Sequence, residues 1–191
     1  DSLNAAVLGP DAAPGSDVYL AFLRDVVRDM TQKTGQKCTA IRRVIVPKSL
    51  VDEVARDLSD RLRDVVVGNP AHDKVTMGPL STKSQLVEIQ KGIARLKEGC
   101  ERVFGGDAPS PIGAPEGKGF FVPPTLFIER DAHGTSVVHD HEVFGPVQTI
   151  LPYEGVVDAT RIIRRGKGGL VASLYTDDRA FATAFVVGTG S

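Results

Sequence analysis

Two thiols and a short run of histidines are the residues in this 191-residue sequence best equipped for covalent chemistry. Cys38 stands in Gly35-Gln36-Lys37-Cys38-Thr39, and Cys100 follows Gly99. A thiol becomes a nucleophile when its thiolate is stabilised. A sharp turn between a helix stop and a strand leaves backbone amides free to do that and to hold an oxyanion, and the glycine before Cys38 puts it in such a turn. Free cysteine is nevertheless among the most buried residue types, so on residue type alone an inert core thiol is the stronger reading. With only two cysteines, a disulfide framework is not expected.

His139-Asp140-His141 sets two imidazoles two residues apart. Such a pair supplies at most two converging ligands, and no further Cys/His cluster completes a tetrahedral set, so local hydrogen bonding is expected and no metal. Gly166-Lys167-Gly168-Gly169 lacks the strand-then-helix context of a phosphate loop and reads as a turn. An acyltransferase built on Cys38 would need a histidine base. None of the four histidines lies within thirty residues of it in sequence, although folding could bring one close.

The elements that must position these groups follow from periodicity. Leu3 to Leu8 reads as a strand, ending in a turn-rich Gly9-Pro10 to Pro14-Gly15 segment. A helix is expected from about Val18 to Lys33, capped by Ser16 or Asp17, with Leu20, Leu23, Val27 and Met30 on one face and Gly35 as its stop. Ile41 to Val46 is β-branched and suits a strand. Leu50, Val54, Leu58, Leu62 and Val65 mark an amphipathic helix that stops at Gly68-Asn69-Pro70, and a second runs from Thr82 to Glu98, with a strand after Cys100. Residues 105–119 read as a surface loop. Further strands are expected at Phe120 to Val122, Thr125 to Glu129, Val147 to Tyr153 and Leu170 to Thr176, and helices at Val156 to Arg165 and Arg179 to Val187. Alternating strands and helices of these lengths predict an α/β domain over residues 1–191, a mainly parallel sheet flanked by helices.

Composition narrows the partners. Lys+Arg number 23 against 24 Asp+Glu, for a formal net charge of -1, and 41% of residues are hydrophobic. That describes one soluble domain with a real core. It lacks the one-signed field that nucleic acid or an anionic membrane calls for. No apolar run approaches the roughly 20 residues of a membrane span, and the opening Asp1-Ser2-Leu3-Asn4 is unlike a signal peptide, so a cytoplasmic location is expected.

Three separated segments resemble the aldehyde dehydrogenase superfamily. Gly35-Gln36-Lys37-Cys38-Thr39 is similar to its nucleophile motif. Glu142-Val143-Phe144-Gly145-Pro146-Val147, 104 residues downstream (142 - 38), resembles its Glu-x-Phe-Gly-Pro-Val cofactor motif, and Pro123-Pro124-Thr125-Leu126-Phe127 resembles the strand before it. The resemblance implies that Cys38 attacks an aldehyde to form a thiohemiacetal, with its own N–H helping to hold the oxyanion, and that a thioester follows once hydride has left for NAD or NADP. It also implies that Glu142 holds the nicotinamide ribose and that Phe144 lies near the nicotinamide. A carboxylate can accept hydrogen bonds from a diol, and an aromatic face packs on a planar ring. Without the resemblance, Glu142 would read as a solvated charge and Phe144 as core. Cys100 lies outside the motifs and is expected to be structural.

Within the superfamily, the wider Thr34 to Arg43 segment and the opening residues look closer to the subgroup acting on coenzyme A-linked semialdehydes in aerobic degradation of aromatic acids. The phenylacetate branch comes first and the dehydroadipyl-CoA semialdehyde branch of benzoate breakdown second. The resemblance further implies that several parts fall outside these residues. These are the water-activating glutamate, the adenine site, the asparagine giving a second oxyanion donor, and the arm completing a dimer-based homo-oligomer. The 191 residues alone are therefore expected to fold without turning over aldehyde. A non-catalytic oligomerisation module is the alternative from a different class.

Overall fold

The computed structural model describes residues 2–106, 110–134 and 137–190. Six strands, β1 (Asn4–Leu8), β2 (Ile41–Pro47), β3 (Glu101–Phe104), β4 (Thr125–Ile128), β5 (Val147–Tyr153) and β6 (Ala172–Tyr175), form one sheet in the order β3-β4-β5-β2-β1-β6. All neighbours are parallel except β3 and β4. Helices α1 (Asp17–Thr31), α2 (Val51–Leu62), α3 (Lys83–Gly99), α4 (Val137–Asp140), α5 (Val156–Arg165) and α6 (Arg179–Thr189) connect and cover it. This is the expected α/β architecture of a mainly parallel sheet flanked by helices.

Alternation along the central strands divides the core between the two faces. Ala6, Leu8, Val44, Val46 and Ile150 pack with Phe22, Val26, Leu58 and Leu62 of α1 and α2. Ala5, Val7, Ile45 and Leu151 pack with Ile89, Leu96, Ile162 and Phe185 of α3, α5 and α6. Both sides of β1, β2 and β5 are thereby buried, the usual state of parallel strands and the reason these read as near-continuous apolar runs. Among the described residues no helix is long and apolar enough to cross a membrane.

Several boundaries differ from the sequence expectation. Ser16 is the cap of α1, its side chain accepting from the Tyr19 amide, and the helix ends at Thr31 rather than Lys33. Residues Gln32–Gly35 form a single 3-10 turn in which Lys33 and Thr34 have left-handed φ of 52° and 56°. The stop is thus made before the glycine, with Gly35 (φ 70°) completing a reversal already begun. Phe120 to Val122 forms no strand, because Pro123 and Pro124 bring no N–H to a ladder; instead the Phe120 carbonyl accepts from the Leu80 amide. The single-turn α4 was not expected from periodicity, being too short to show one. Residues 107–109 of the expected loop lie outside the described residues.

Candidate active site

The three residues singled out by sequence come to one rim of the sheet. Cys38 precedes β2, and Glu142 and Phe144 precede β5, the strand beside it, so all three sit at the N-terminal ends of neighbouring parallel strands. Cys38 is exposed. It occupies a tight turn closed by the Ala40 amide donating to the Lys37 carbonyl at 3.1 Å. Among the described residues none accepts a hydrogen bond from the Cys38 amide, while the Cys38 carbonyl is held by Asn4 Nδ2 at 2.9 Å.

Three clasps hold this turn. Asn4, 1% exposed at the start of β1, donates to the Cys38 and Ala40 carbonyls, and its Oδ1 accepts from Ser2 Oγ and from the Leu170 and Val171 amides. Every donor of this amide is used, as a buried polar group requires. Asp29 of α1 pairs with Lys37 Nζ and accepts from the Ile41 amide at 2.7 Å. Gln36 Oε1 accepts from the Ser81 amide and hydroxyl. The reversal before them carries strain: a β-branched residue with left-handed φ is unusual and costs about 1–3 kcal/mol. At Thr34 the cost is offset in part by burial and a 2.9 Å hydrogen bond from Oγ1 to the Gly78 carbonyl.

Direct contact joins the thiol turn to the Glu142–Phe144 segment. A Cβ built on Gly35 would lie 2.3 Å from the Gly145 carbonyl oxygen, so only glycine lets the two backbones approach this closely. Arg42, 3% exposed in its side chain, spans them. It donates from Nε to Glu142 at 3.1 Å, from one terminal nitrogen to the Gly145 carbonyl at 2.9 Å, and from the other to the Gly35 carbonyl at 2.9 Å and the Lys37 carbonyl at 3.4 Å. Its guanidinium carbon lies 5.3 Å from the Phe144 ring centroid, within cation–π range.

The two motif residues differ in what they leave available. Phe144 is 36% exposed, an aromatic face a flat ligand can reach. Glu142 is largely covered, its side chain 7% exposed, with Oε1 engaged by Arg42 and Oε2 accepting from the Ser2 amide at 2.7 Å. Each oxygen retains a further lone pair. The pair therefore fits the ribose and nicotinamide end of a dinucleotide, with Glu142 able to accept without first being freed.

The other candidates fall elsewhere. Cys100 is buried, its thiol 3.8 Å from Glu129 Oε2, and burial with the nearby carboxylate pushes its pKa up to about 12. His139 is buried, with Nε2 2.9 Å from the Ala132 carbonyl and Nδ1 3.3 Å from Arg43. Since Arg43 can only donate, Nδ1 accepts and Nε2 carries the proton. Burial and two nearby arginines push its pKa down to about 4. Arg43 donates to the Leu3, Ile162 and Ile163 carbonyls, the last two at the C-terminal end of α5, where the helix dipole favours a cation. Gly166 leaves it room: a Cβ there would lie 2.1 Å from the guanidinium. The Gly166–Gly169 segment is thus a turn that ends α5, with Gly168 at φ 88°. A cavity of about 440 Å³, lined by Lys48, His133, Tyr153 and Asp158 among others, lies past the opposite ends of β2 and β5 and away from Cys38.

Asn4, Asp29 and Arg42 were not singled out by sequence reasoning. The available signal was local: Arg42-Arg43 interrupts the otherwise apolar, fully buried strand Ile41–Pro47, and buried charges are rare unless they are used.

Comparison with known proteins identifies the family and the fold. Residues 13–189 match the model of the aldehyde dehydrogenase family. A 3,4-dehydroadipyl-CoA semialdehyde dehydrogenase from Aromatoleum evansii is 46% identical over 189 residues, covering 98% of this chain and 37% of that protein. Aldehyde dehydrogenase C from Pseudomonas syringae, solved as a cysteine-to-alanine mutant with NAD+ and octanal, superposes with a TM-score of 0.82 at 28% identity, covering 98% of this chain and 37% of that one. Lactaldehyde dehydrogenase from Escherichia coli gives 0.81 at 28% identity, with the same coverage of both chains. The chain spans little more than a third of the length of these relatives.

Proposed function

The chain belongs to the aldehyde dehydrogenase family, and on that footing we propose that the protein it is part of oxidises a coenzyme A-linked semialdehyde to the acid with NAD or NADP, using Cys38 as nucleophile. The observation that carries this reading is the exposed Cys38 thiol on a turn whose amide is free and whose backbone is locked against the segment bearing Glu142 and Phe144.

In the proposed reaction the Cys38 thiolate attacks the aldehyde carbon, forming a C–S bond and moving the carbonyl electron pair onto oxygen. The Cys38 amide donates to that oxyanion, an interaction made only as charge develops. A bound nicotinamide dinucleotide would supply the hydride acceptor. Glu142 and Phe144 are the residues that would hold its ribose and nicotinamide end, and holding the acceptor beside the adduct can be worth roughly 7–11 kcal/mol in proximity. Loss of hydride leaves a Cys38 thioester for water to cleave. NAD is favoured over NADP by the NAD+ complex of the Pseudomonas syringae relative. These residues grip one end of the dinucleotide only. The 191 residues alone are therefore proposed to form the thiol adduct without turnover.

The substrate branch follows the Aromatoleum evansii relative, which moves 3,4-dehydroadipyl-CoA semialdehyde ahead of the phenylacetate branch that the sequence reading put first. A homo-oligomeric state and a cytoplasmic location belong to the same reading. The test is reduced-cofactor absorbance with the full-length protein, NAD or NADP, and 3,4-dehydroadipyl-CoA semialdehyde against uncharged aliphatic aldehydes. Faster oxidation of the free aldehydes would remove the coenzyme A assignment, and turnover that survives Cys38→Ser would remove the mechanism.

A further inference from the structure

We propose that Arg42 is a positioning residue that locks the Cys38 turn to the Glu142–Phe144 segment, so that thiol and dinucleotide site keep one mutual geometry. The inference rests on the function proposed above, but the contacts behind it stand independently. Arg42 is the second residue of the fully buried strand β2, four positions after Cys38. Its planar fork carries five N–H donors, and four contacts use them: the Glu142 carboxylate and the carbonyls of Gly35, Lys37 and Gly145. Two of those carbonyls flank Gln36, just before the nucleophile. The third, with the carboxylate, belongs to the cofactor segment about a hundred residues later.

Besides Arg42, the two segments meet through the close Gly35–Gly145 approach and a long 3.5 Å hydrogen bond from Gln36 Nε2 to the Phe144 carbonyl, so among the described residues Arg42 supplies most of the side-chain hydrogen bonds that link them. Burial depresses the pKa of Arg42, while Glu142 opposes the shift. A guanidinium remains charged in any case, and a buried cation of this kind is costly unless every contact is made. The same group backs the Phe144 ring and orients the Glu142 carboxylate through Nε. Arg42 thus touches three of the groups that the proposed reaction needs held still, without itself reaching substrate. Lysine would keep the charge but not the fork.

Arg43 provides an internal control. It is equally buried and adjacent in sequence, but it lies on the other face of the sheet with α5 and His139. The experiment uses the full-length protein as Arg42→Met, Arg42→Lys and Arg43→Met, with NAD and 3,4-dehydroadipyl-CoA semialdehyde. For Arg42→Met we expect the KM for NAD to rise about tenfold or more, equivalent to about 1.4 kcal/mol, with a fall in kcat. Arg42→Lys should recover part of both, and, if Arg42→Met fails to fold, the lysine variant should still show the raised KM. Arg43→Met should lose thermal stability yet keep kcat and KM below its melting range. Amide exchange reads the lock without turnover: in Arg42→Met or Arg42→Lys, peptides covering 33–40 and 142–147 should lose protection together, which Arg43→Met should not reproduce. Unchanged KM and unchanged exchange in a folded Arg42 variant, or changes matched by Arg43→Met, would overturn the proposal. A wild-type protein that oxidises no aldehyde removes the function instead, and the exchange arm still decides the lock.

Discussion

The rim around Cys38 and the buried face around Cys100 and His139 treat reactive side chains in opposite ways. At the rim, the backbone on either side of Cys38 is fixed by Asn4, Asp29 and Arg42, while the residue is exposed and its amide meets no acceptor among the described residues. On the α3–α5 face the side chains themselves are taken: the Cys100 thiol by burial against Glu129, and both nitrogens of His139 by Arg43 and Ala132. The difference lies in which atoms are held. Anchoring the main chain around a nucleophile preorganises it without occupying it, whereas burying the functional atom removes it from chemistry.

The sharpest way to break this comparison is to remove each thiol in turn. In the full-length protein, Cys38→Ser should abolish dinucleotide-linked aldehyde oxidation and Cys100→Ser should leave kcat within about twofold, because a residue off the reaction path perturbs only packing. Equal losses from the two, measured by absorbance of reduced cofactor, would erase the distinction. Direct labelling should separate the thiols almost as widely. With a pKa pushed up to about 12, Cys100 is thiolate in only about one molecule in 10⁴ at pH 8. Limiting iodoacetamide followed by peptide mapping should therefore mark Cys38, and preferential modification of Cys100 in folded protein would contradict the geometry.

His139 extends the contrast to pH. Its folded pKa of about 4 lies below the ordinary value near 6.5, so between these values the unfolded chain binds more proton than the folded one. The contribution is fully present above about pH 6.5 and is lost as pH falls toward 4, a total of roughly 3 kcal/mol. Urea midpoints at pH 7, 6 and 5 should drop accordingly, and His139→Gln, which can both donate and accept, should flatten that part of the slope. An unchanged slope in the variant would mean another group is responsible. Glu142→Ala should cost about 1.5–3 kcal/mol in dinucleotide use, read as KM for NAD or as the rate of hydride transfer. Because Arg42 also loses its carboxylate, the loss should exceed that of Glu142→Gln. Cofactor kinetics untouched by either would exclude the role proposed for Glu142.

Apolar periodicity located α3, α5 and β5 within a few residues, since each is long enough to display a full pattern, whereas α2 ends at Leu62, short of the expected stop at Gly68. Short elements escaped it. Val137–Asp140 has one turn, and the Phe120–Val122 segment is apolar enough to resemble a strand but is followed by two prolines. The motif residues Cys38, Glu142 and Phe144 were legible because their types and order survive in a one-dimensional string. The supports of the site were not. Asn4 and Asp29 are ordinary polar residues in sequence, and their importance comes from hydrogen bonds to backbone atoms up to 167 positions away.

Alternating apolar segments of strand and helix length, a balanced charge and three separated segments determined, from the sequence alone, a flanked parallel sheet and a cysteine of interest. Only the tertiary structure decided which charges are buried and against what. Arg42 and Arg43 are the same residue type one position apart, and the pleat of β2 sends one to the nucleophile turn and the other to the end of α5. A string of residues carries the two-residue period but not the identity of the neighbour on each face. That depends on which distant strands pair with β2, and pairing is a property of the whole packed chain.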